Sequence, residues 1–168
     1  MDLSINPPFK TTIAVCEGFH GTGSSNAQSI LQQGFQRFTV GGRELYLGPG
    51  VYFFDGVHAH AEEWGRRNYS KNCCVLKADI ALGNCLDLFE RRFFDVVAEV
   101  QESLTRVRRG HPVSPASAIA WLTQNYEIHT VRAVHAFQRT FPGTALTPGA
   151  KVIICVVILA NISNVTIA

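Results

Sequence analysis

The stretch EGFHGTGSSNAQSILQQGF, residues 17–35, decides how the chain is read. The short apolar, β-branched run before it, Ile13–Cys16, predicts a buried strand that leads to His20. A His–Gly–Thr corner (His20, Gly21, Thr22) wastes backbone order and buries a polar ring if it lies in a core. At the mouth of a cleft it has a use. The imidazole offers a ring nitrogen, and the glycine lets a ligand approach the backbone closely. Beyond the corner, Ser25 and Gln28 have the spacing of a capping box, and Ala27, Ile30 and Leu31 form one apolar face. Gly34 stands where helices commonly end, so the spacing predicts a short capped helix.

Outward from this stretch, the glycine-rich segment VGGRE (residues 40–44) predicts a turn, and LYLGPGVYFF (45–54) a loop running into a strand at Val51–Phe54. HAHAEEWGRR (58–67) predicts a helix of about three turns. CCVLKADIAL (73–82) predicts a strand, followed by a Gly83–Asn84 turn and the short CLDLF. The clearest helix spans 89–107, where Phe89, Phe93, Val96, Val97, Val100, Leu104 and Val107 recur at three and four. Its other face carries Arg91, Arg92, Asp95, Glu99, Glu102 and Arg106. Ser114 and Pro115 form an N-cap and first-turn pair for a helix to about Asn125. HTVRAVHAF (129–137) and KVIICVVILANI (151–162) predict two more strands. Strands dominate both ends, with helices between. The pattern predicts an α+β fold with a split, mostly antiparallel β-sheet core, flanking helices and a helical insertion near 89–125, as one domain over 1–168.

Composition bounds the functions. The chain has 168 residues, 46% apolar and 17% charged, with a formal net charge of +2. These are the proportions of a globular protein, and the charge is too mild to argue for nucleic acid as the partner. The five cysteines are odd in number and lack zinc-site spacing, which predicts reduced thiols and no metal. The opening MDLSINPPFKTT has no hydrophobic signal core, and the longest apolar run, VIICVVILA (152–160), falls far short of the roughly 20 residues that span a bilayer. The expectation is a cytoplasmic protein without a membrane segment.

Three segments line up in order: FHGT (19–22) with its helix, GPGVYFFDGVHAHA (48–61), and ADIALGNCLDL (78–88). Together they resemble the catalytic fold of diphtheria-toxin-type ADP-ribosyltransferases, the class that contains the poly(ADP-ribose) polymerases. That family shows a His–Gly–Ser/Thr corner, a GxG strand ending in Tyr–Phe, an alanine-bearing helix and often an ALGN turn. The resemblance implies NAD as co-substrate and transfer of ADP-ribose to a macromolecular acceptor, protein in preference to nucleic acid. It implies that His20 binds a hydroxyl of the nicotinamide-side ribose, that Gly21 presents its backbone to the carboxamide, and that Thr22 contacts the adjoining ribose. Tyr52 would stack on the nicotinamide. The family's carboxamide-binding serine falls at His60, and its second stacking aromatic at Glu63, with Trp64 one position on.

Cleaving the N-glycosidic bond of NAD passes through an oxocarbenium-like ribose, so such a site must hold ring and ribose rigidly. The family's acid on the last core strand is the informative departure. No Asp or Glu follows Glu127. By strand order Ile153 takes the acid's place, giving a His–Tyr–Ile set of His20, Tyr52 and Ile153, with Glu127 and Gln138 as fallback acids. In the resemblance, this pattern goes with transfer of single ADP-ribose units or with lost activity. An NAD glycohydrolase and a degenerate NAD- or ADP-ribose-binding module are the alternatives. Read alone, His20 is a satisfied strand-end histidine, Tyr52 and Trp64 are core, and His60 is a surface helix residue.

Overall fold

A computed structural model of the chain describes residues 15–36, 45–135 and 151–168. The VGGRE turn and Gln138 lie outside the described residues. Strand β1 (Val15–Gly23) carries the His–Gly–Thr stretch inside it. It leads into helix α1 (Ser24–Gln33), and then come β2 (Val51–Asp55), α2 (His58–Tyr69), β3 (Cys73–Ala81) and β4 (Cys85–Asp87). Helices α3 (Arg91–Val107) and α4 (Pro115–Asn125) form the expected helical insertion. Strands β5 (Thr130–His135), β6 (Lys151–Val156) and β7 (Ile162–Ile167) follow.

The described strands make one seven-stranded sheet in the order β4-β5-β6-β2-β1-β3-β7. Only the β4–β5 pair is parallel. The fold is therefore α+β and mostly antiparallel, as the pattern predicts. The predicted split is also visible in the register. β1 pairs with β3 along its full length, from Val15↔Ala81 to Gly23↔Cys73. With β2 it pairs only at Gly18↔Asp55 and Phe19↔Phe54. Past Phe19 the two strands form no further ladder pair, and the sheet opens between its β1-β3-β7 half and its β2-β6-β5-β4 half.

Strand alternation assigns the two faces. One face carries Val51, Phe53, Ala78, Ile80, Ile154 and Val156 in a buried cluster. The other carries two clusters. Phe19, Phe54 and Val75 pack against Ala61 of α2. Val131, Ala133 and Cys155 pack against Phe93, Val97 and Val100 of α3 and Ala118, Ile119 and Leu122 of α4. The three-and-four spacing on α3 thus buries Phe93, Val97 and Val100, each contributing about 1.5–3 kcal/mol of transfer free energy, while Phe89 and Val107 at its ends stay exposed.

Two local expectations change. The capping box on α1 does not form. The β1–β3 ladder runs to Gly23, so the helix starts at Ser24 and Ser25 already lies within it. The Ser24 hydroxyl donates to the Asn72 carbonyl, and the Ser29 hydroxyl to the Ser25 carbonyl. The predicted strand over 151–162 is two strands. The Val157 and Ile158 amides both turn to the His129 carbonyl, which ends β6, and a short 3-10 turn at Leu159–Asn161 sends β7 to the far edge beside β3. Two caps stand as read. The Ser114 hydroxyl accepts from the Ser117 amide at 3.1 Å, and Gly34, at φ 78°, donates its amide to the Ile30 carbonyl at 2.8 Å.

A charged network holds the β2–β5–β4 region. The Arg132 guanidinium donates to Asp55 Oδ2 through Nε and Nη2 (2.9 and 2.7 Å) and to Asp87 Oδ2 through Nη1 (3.2 Å). Phe89 lies against its plane, with the guanidinium carbon 4.8 Å from the ring centroid. Among the described residues, no helix is long and apolar enough to cross a membrane.

Candidate functional site

The point where β1 and β2 part is the site the sequence points to. Gly56 N–H donates to the Glu17 carbonyl at 2.8 Å, which makes Glu17 and Gly56 a hydrogen-bonded pair of the antiparallel ladder. Such pairs recur at every second residue, so Phe19 and Phe54 form the next, and Gly21 and Tyr52 stand where the following one belongs. No ladder pair is formed there. The amide and carbonyl of Gly21 therefore aim into the gap rather than toward β3. The Tyr52 carbonyl is bonded instead to His20 Nδ1 at 2.8 Å.

That bond fixes the histidine's chemistry. A carbonyl only accepts, so Nδ1 carries the proton and Nε2 is left as the acceptor. Burial lowers the pKa of His20 and outweighs the opposing pull of the Tyr52 carbonyl. The ring is neutral at pH 7. It sits edge-on to Phe35, with centroids 5.3 Å apart, and tilted against Phe53 at 5.6 Å.

Glycine is required at position 21 by close packing. A Cβ there would lie 2.2 Å from the Ala61 carbonyl oxygen and 3.2 Å from the Gly65 amide nitrogen of α2. Helix α2 thus rides directly on the β1 backbone, and its neighbouring residues border the gap. His60 is half-buried, its Nδ1 has no hydrogen-bond partner, and its ring meets Phe54 at 6.0 Å. Desolvation, then the Lys151 charge, lowers its pKa. Trp64 is 42% exposed and tilts against Tyr69. Glu63 is bound to Lys151, the residue that opens β6, through an Oε2–Nζ contact of 2.5 Å.

Tyr52 leaves the sheet on the face opposite to His20 and packs beside the α3–α4 cluster. Its hydroxyl donates to the Gly48 carbonyl at 2.7 Å and accepts from the Leu47 amide at 2.9 Å. The residue thereby holds the Gly48–Pro49–Gly50 turn to the sheet. Ile153 shares that face, half-buried between the α2 and the α3–α4 clusters. Thr22 is 3% exposed and lies opposite Cys74 on β3. Glu127 sits beside His129, 3.6 Å away, in the loop before β5.

The structure thus brings His20, Gly21 and the Tyr52 backbone together at one strand junction, with the His20 and Tyr52 rings on opposite faces of the sheet and His60 and Trp64 on the helix above. Sequence reasoning missed the Glu63–Lys151 pair. Its one signal was a lone lysine opening the apolar run of β6, since a lysine drawn to 8% exposure needs a partner. A concavity of about 700 Å³ lies elsewhere, between α2, β3 and β7, lined by His58, Glu62, Arg66, Lys71 and Cys73. It contains none of His20, Gly21 or Tyr52. Among the described residues, no group of three or more His, Cys, Asp or Glu is arranged to hold a metal ion.

A family model described as the poly(ADP-ribose) polymerase catalytic domain matches residues 14–135. The match takes in β1 through β5, with the strand junction and α2, and ends before β6 and Ile153. No curated protein matches the chain in sequence.

Proposed function

Because the chain belongs to the poly(ADP-ribose) polymerase catalytic-domain family, whose domains use NAD to transfer ADP-ribose, we propose that it transfers single ADP-ribose units to a macromolecular acceptor. The proposed catalytic domain is the whole of residues 1–168. The observation that carries the reading is the open strand junction. The Gly21 amide and carbonyl face a gap, and a carboxamide has the complementary acceptor and donor. In this reading Gly21 holds the nicotinamide amide, fixing the ring without a competing charged group.

His20 then accepts a ribose hydroxyl at Nε2. Its neutral ring suits that role, because a protonated imidazole would have no acceptor and would place positive charge beside a developing oxocarbenium ion. The Tyr52 ring is proposed to border the nicotinamide from the β2 side, with its hydroxyl occupied by the Gly48 turn. His60 offers an imidazole in place of the family's serine, with a buried Nδ1 that has no hydrogen-bond partner. Trp64 is the ring available on α2, and Thr22 backs the adjoining ribose from β1.

Single-unit transfer rests on β6, where Ile153 stands among apolar neighbours. An apolar side chain there cannot polarise the hydroxyl that a growing polymer must present. The test is incubation with NAD labelled in its adenylate portion, with a mixed protein extract or with nucleic acid. The expected result is nicotinamide release with label on protein in single units. Label on nucleic acid, free ADP-ribose alone, or label in polymer would each overturn a stated part of the reading.

A further inference from the structure

We propose that Phe35 is a positioning residue of this site: with Phe53 it frames the His20 imidazole, keeping Nδ1 on the Tyr52 carbonyl and Nε2 as the acceptor. The inference rests on the NAD-cleavage reading above and names what sustains the state of His20 that this reading uses.

The frame begins at a turn. Helix α1 stops at Gly34, whose φ of 78° is one that L side chains rarely adopt and whose amide closes the last turn onto the Ile30 carbonyl. A Cβ at position 34 would meet no atom within 4 Å, so the backbone angle, and not crowding, calls for glycine there. The turn lays Phe35 against the buried cluster that contains Phe53, Ala78 and Ile154, on the same face of the sheet as His20.

Three rings then meet pairwise. His20 and Phe35 stand 5.3 Å apart at 86°, Phe35 and Phe53 5.2 Å apart at 67°, and His20 and Phe53 5.6 Å apart at 54°. Steep contacts at such separations are a favoured aromatic geometry. Phe53 is fixed by the central strand β2, where it is 1% exposed. Phe35 is the ring of the frame that comes from outside the sheet.

The frame and the hydrogen bond hold one orientation. A flip of the imidazole about its Cβ–Cγ bond would turn Nδ1 away from the Tyr52 carbonyl and leave that carbonyl without its donor. Two phenyl rings against the imidazole oppose the flip. They also keep water from it, and burial is the larger cause of the lowered His20 pKa. No charge competes with that cause. Helix α1 carries no charged side chain, and Leu76 is the partner of His20 on β3. The titratable groups on this face are the thiols of Cys16, Cys74 and Cys85 and the Asp55–Arg132–Asp87 network, and none of them contributes to the shift. Without Phe35, water would reach the ring, and both protonation and the flip would take the acceptor away from the ribose hydroxyl.

The experiment follows the imidazole by NMR of protein labelled with ¹⁵N in histidine, titrated without NAD, with nicotinamide release measured against pH alongside. The His20 resonances are those missing from His20→Gln. Wild type should show the Nδ1–H tautomer and a midpoint below the ordinary 6.5. In Phe35→Ala the midpoint should rise toward 6.5 and the tautomers should mix. The acid limb of kcat/KM should move up with the midpoint, and kcat at pH 7 should fall by about 10–100-fold. Phe35→Leu keeps an apolar cover and should restore the low midpoint and most of the rate. If Phe35→Ala fails to fold, Gly34→Ala displaces the ring through the turn alone and should shift the midpoint in the same direction. A folded variant of either kind with the wild-type midpoint and tautomer overturns the role of Phe35, whatever its rate. A wild type that does not bind NAD overturns the proposed function, and the titration still decides the part assigned to Phe35.

Discussion

Gly21→Ala tests the contact on which the site is built. The added Cβ would lie 2.2 Å from the Ala61 carbonyl oxygen, 3.1 Å from its carbon and 3.2 Å from the Gly65 nitrogen, all backbone atoms of α2. Non-bonded heavy atoms settle near 3.5 Å, so β1 and α2 must separate by roughly 1 Å. Ala61 is fully buried and shares a cluster with Phe19, Phe54 and Val75, so that separation loosens the whole packing under α2. Overpacking of this kind costs about 1–3 kcal/mol, and an obstacle that is backbone puts the cost near 3 kcal/mol. At about 2–4 °C per kcal/mol for a chain of this size, Tm should fall by about 6–12 °C. Gly65→Ala is the matched control. Its Cβ would meet Cys73 Sγ at 2.4 Å, a half-buried thiol that can rotate away, and the next atom is 3.5 Å distant. The helix-propensity gain of about 0.5–1 kcal/mol offsets the rearrangement, so Tm should move little. Thermal unfolding followed by circular dichroism reads both. Equal Tm values for the two alanine variants would refute the close approach of α2 to Gly21.

Tyr52→Phe removes the acceptor of the Leu47 amide, in a residue only 1% exposed, and the donor to Gly48; it should destabilise by about 1–3 kcal/mol in urea titration. NAD affinity should stay close to wild type, because the ring remains, whereas Tyr52→Ala should lose about 1–3 kcal/mol of stacking as well. Arg132→Met strands Asp55 and Asp87 and should cost about 3–5 kcal/mol, and adding Asp55→Asn and Asp87→Asn should recover much of it. Burial lowers the pKa of both His20 and His60 below the ordinary 6.5, so below that pH the unfolded chain binds protons that the folded chain refuses. Their contribution is complete above about pH 6.5 and declines as pH falls through it. His20→Gln should flatten the pH dependence of the urea midpoint in that window, and His60 should leave a smaller slope of the same sign.

Much of this fold is legible in residue order. The α3 stripe, the Ser114–Pro115 start and the Gly34 stop are local signals, and each is set by bonds within a few residues. The capping box misled because the end of β1 is set by β3, which pairs with it through Gly23 from fifty residues away. The break between β6 and β7 is hidden for the same reason: the His129 carbonyl that takes two amides is remote in sequence. For the site, the His–Gly–Thr corner was readable as a place of close approach, but the approaching element was not. Tyr52 was read as a ring alone, and its hydroxyl is as engaged as its ring, through a turn that the motif GPG only hints at. At position 63 the sequence shows only a carboxylate where the family has an aromatic. Its partner Lys151 is eighty-eight residues on, and no spacing rule connects them.

The most direct measurement is the structure of the protein bound to a non-hydrolysable NAD analogue. The nicotinamide carboxamide is expected on the Gly21 amide and carbonyl, and a ribose hydroxyl on His20 Nε2. An analogue seated instead in the groove lined by His58, Arg66 and Cys73, with the β1–β2 junction closed, would contradict it.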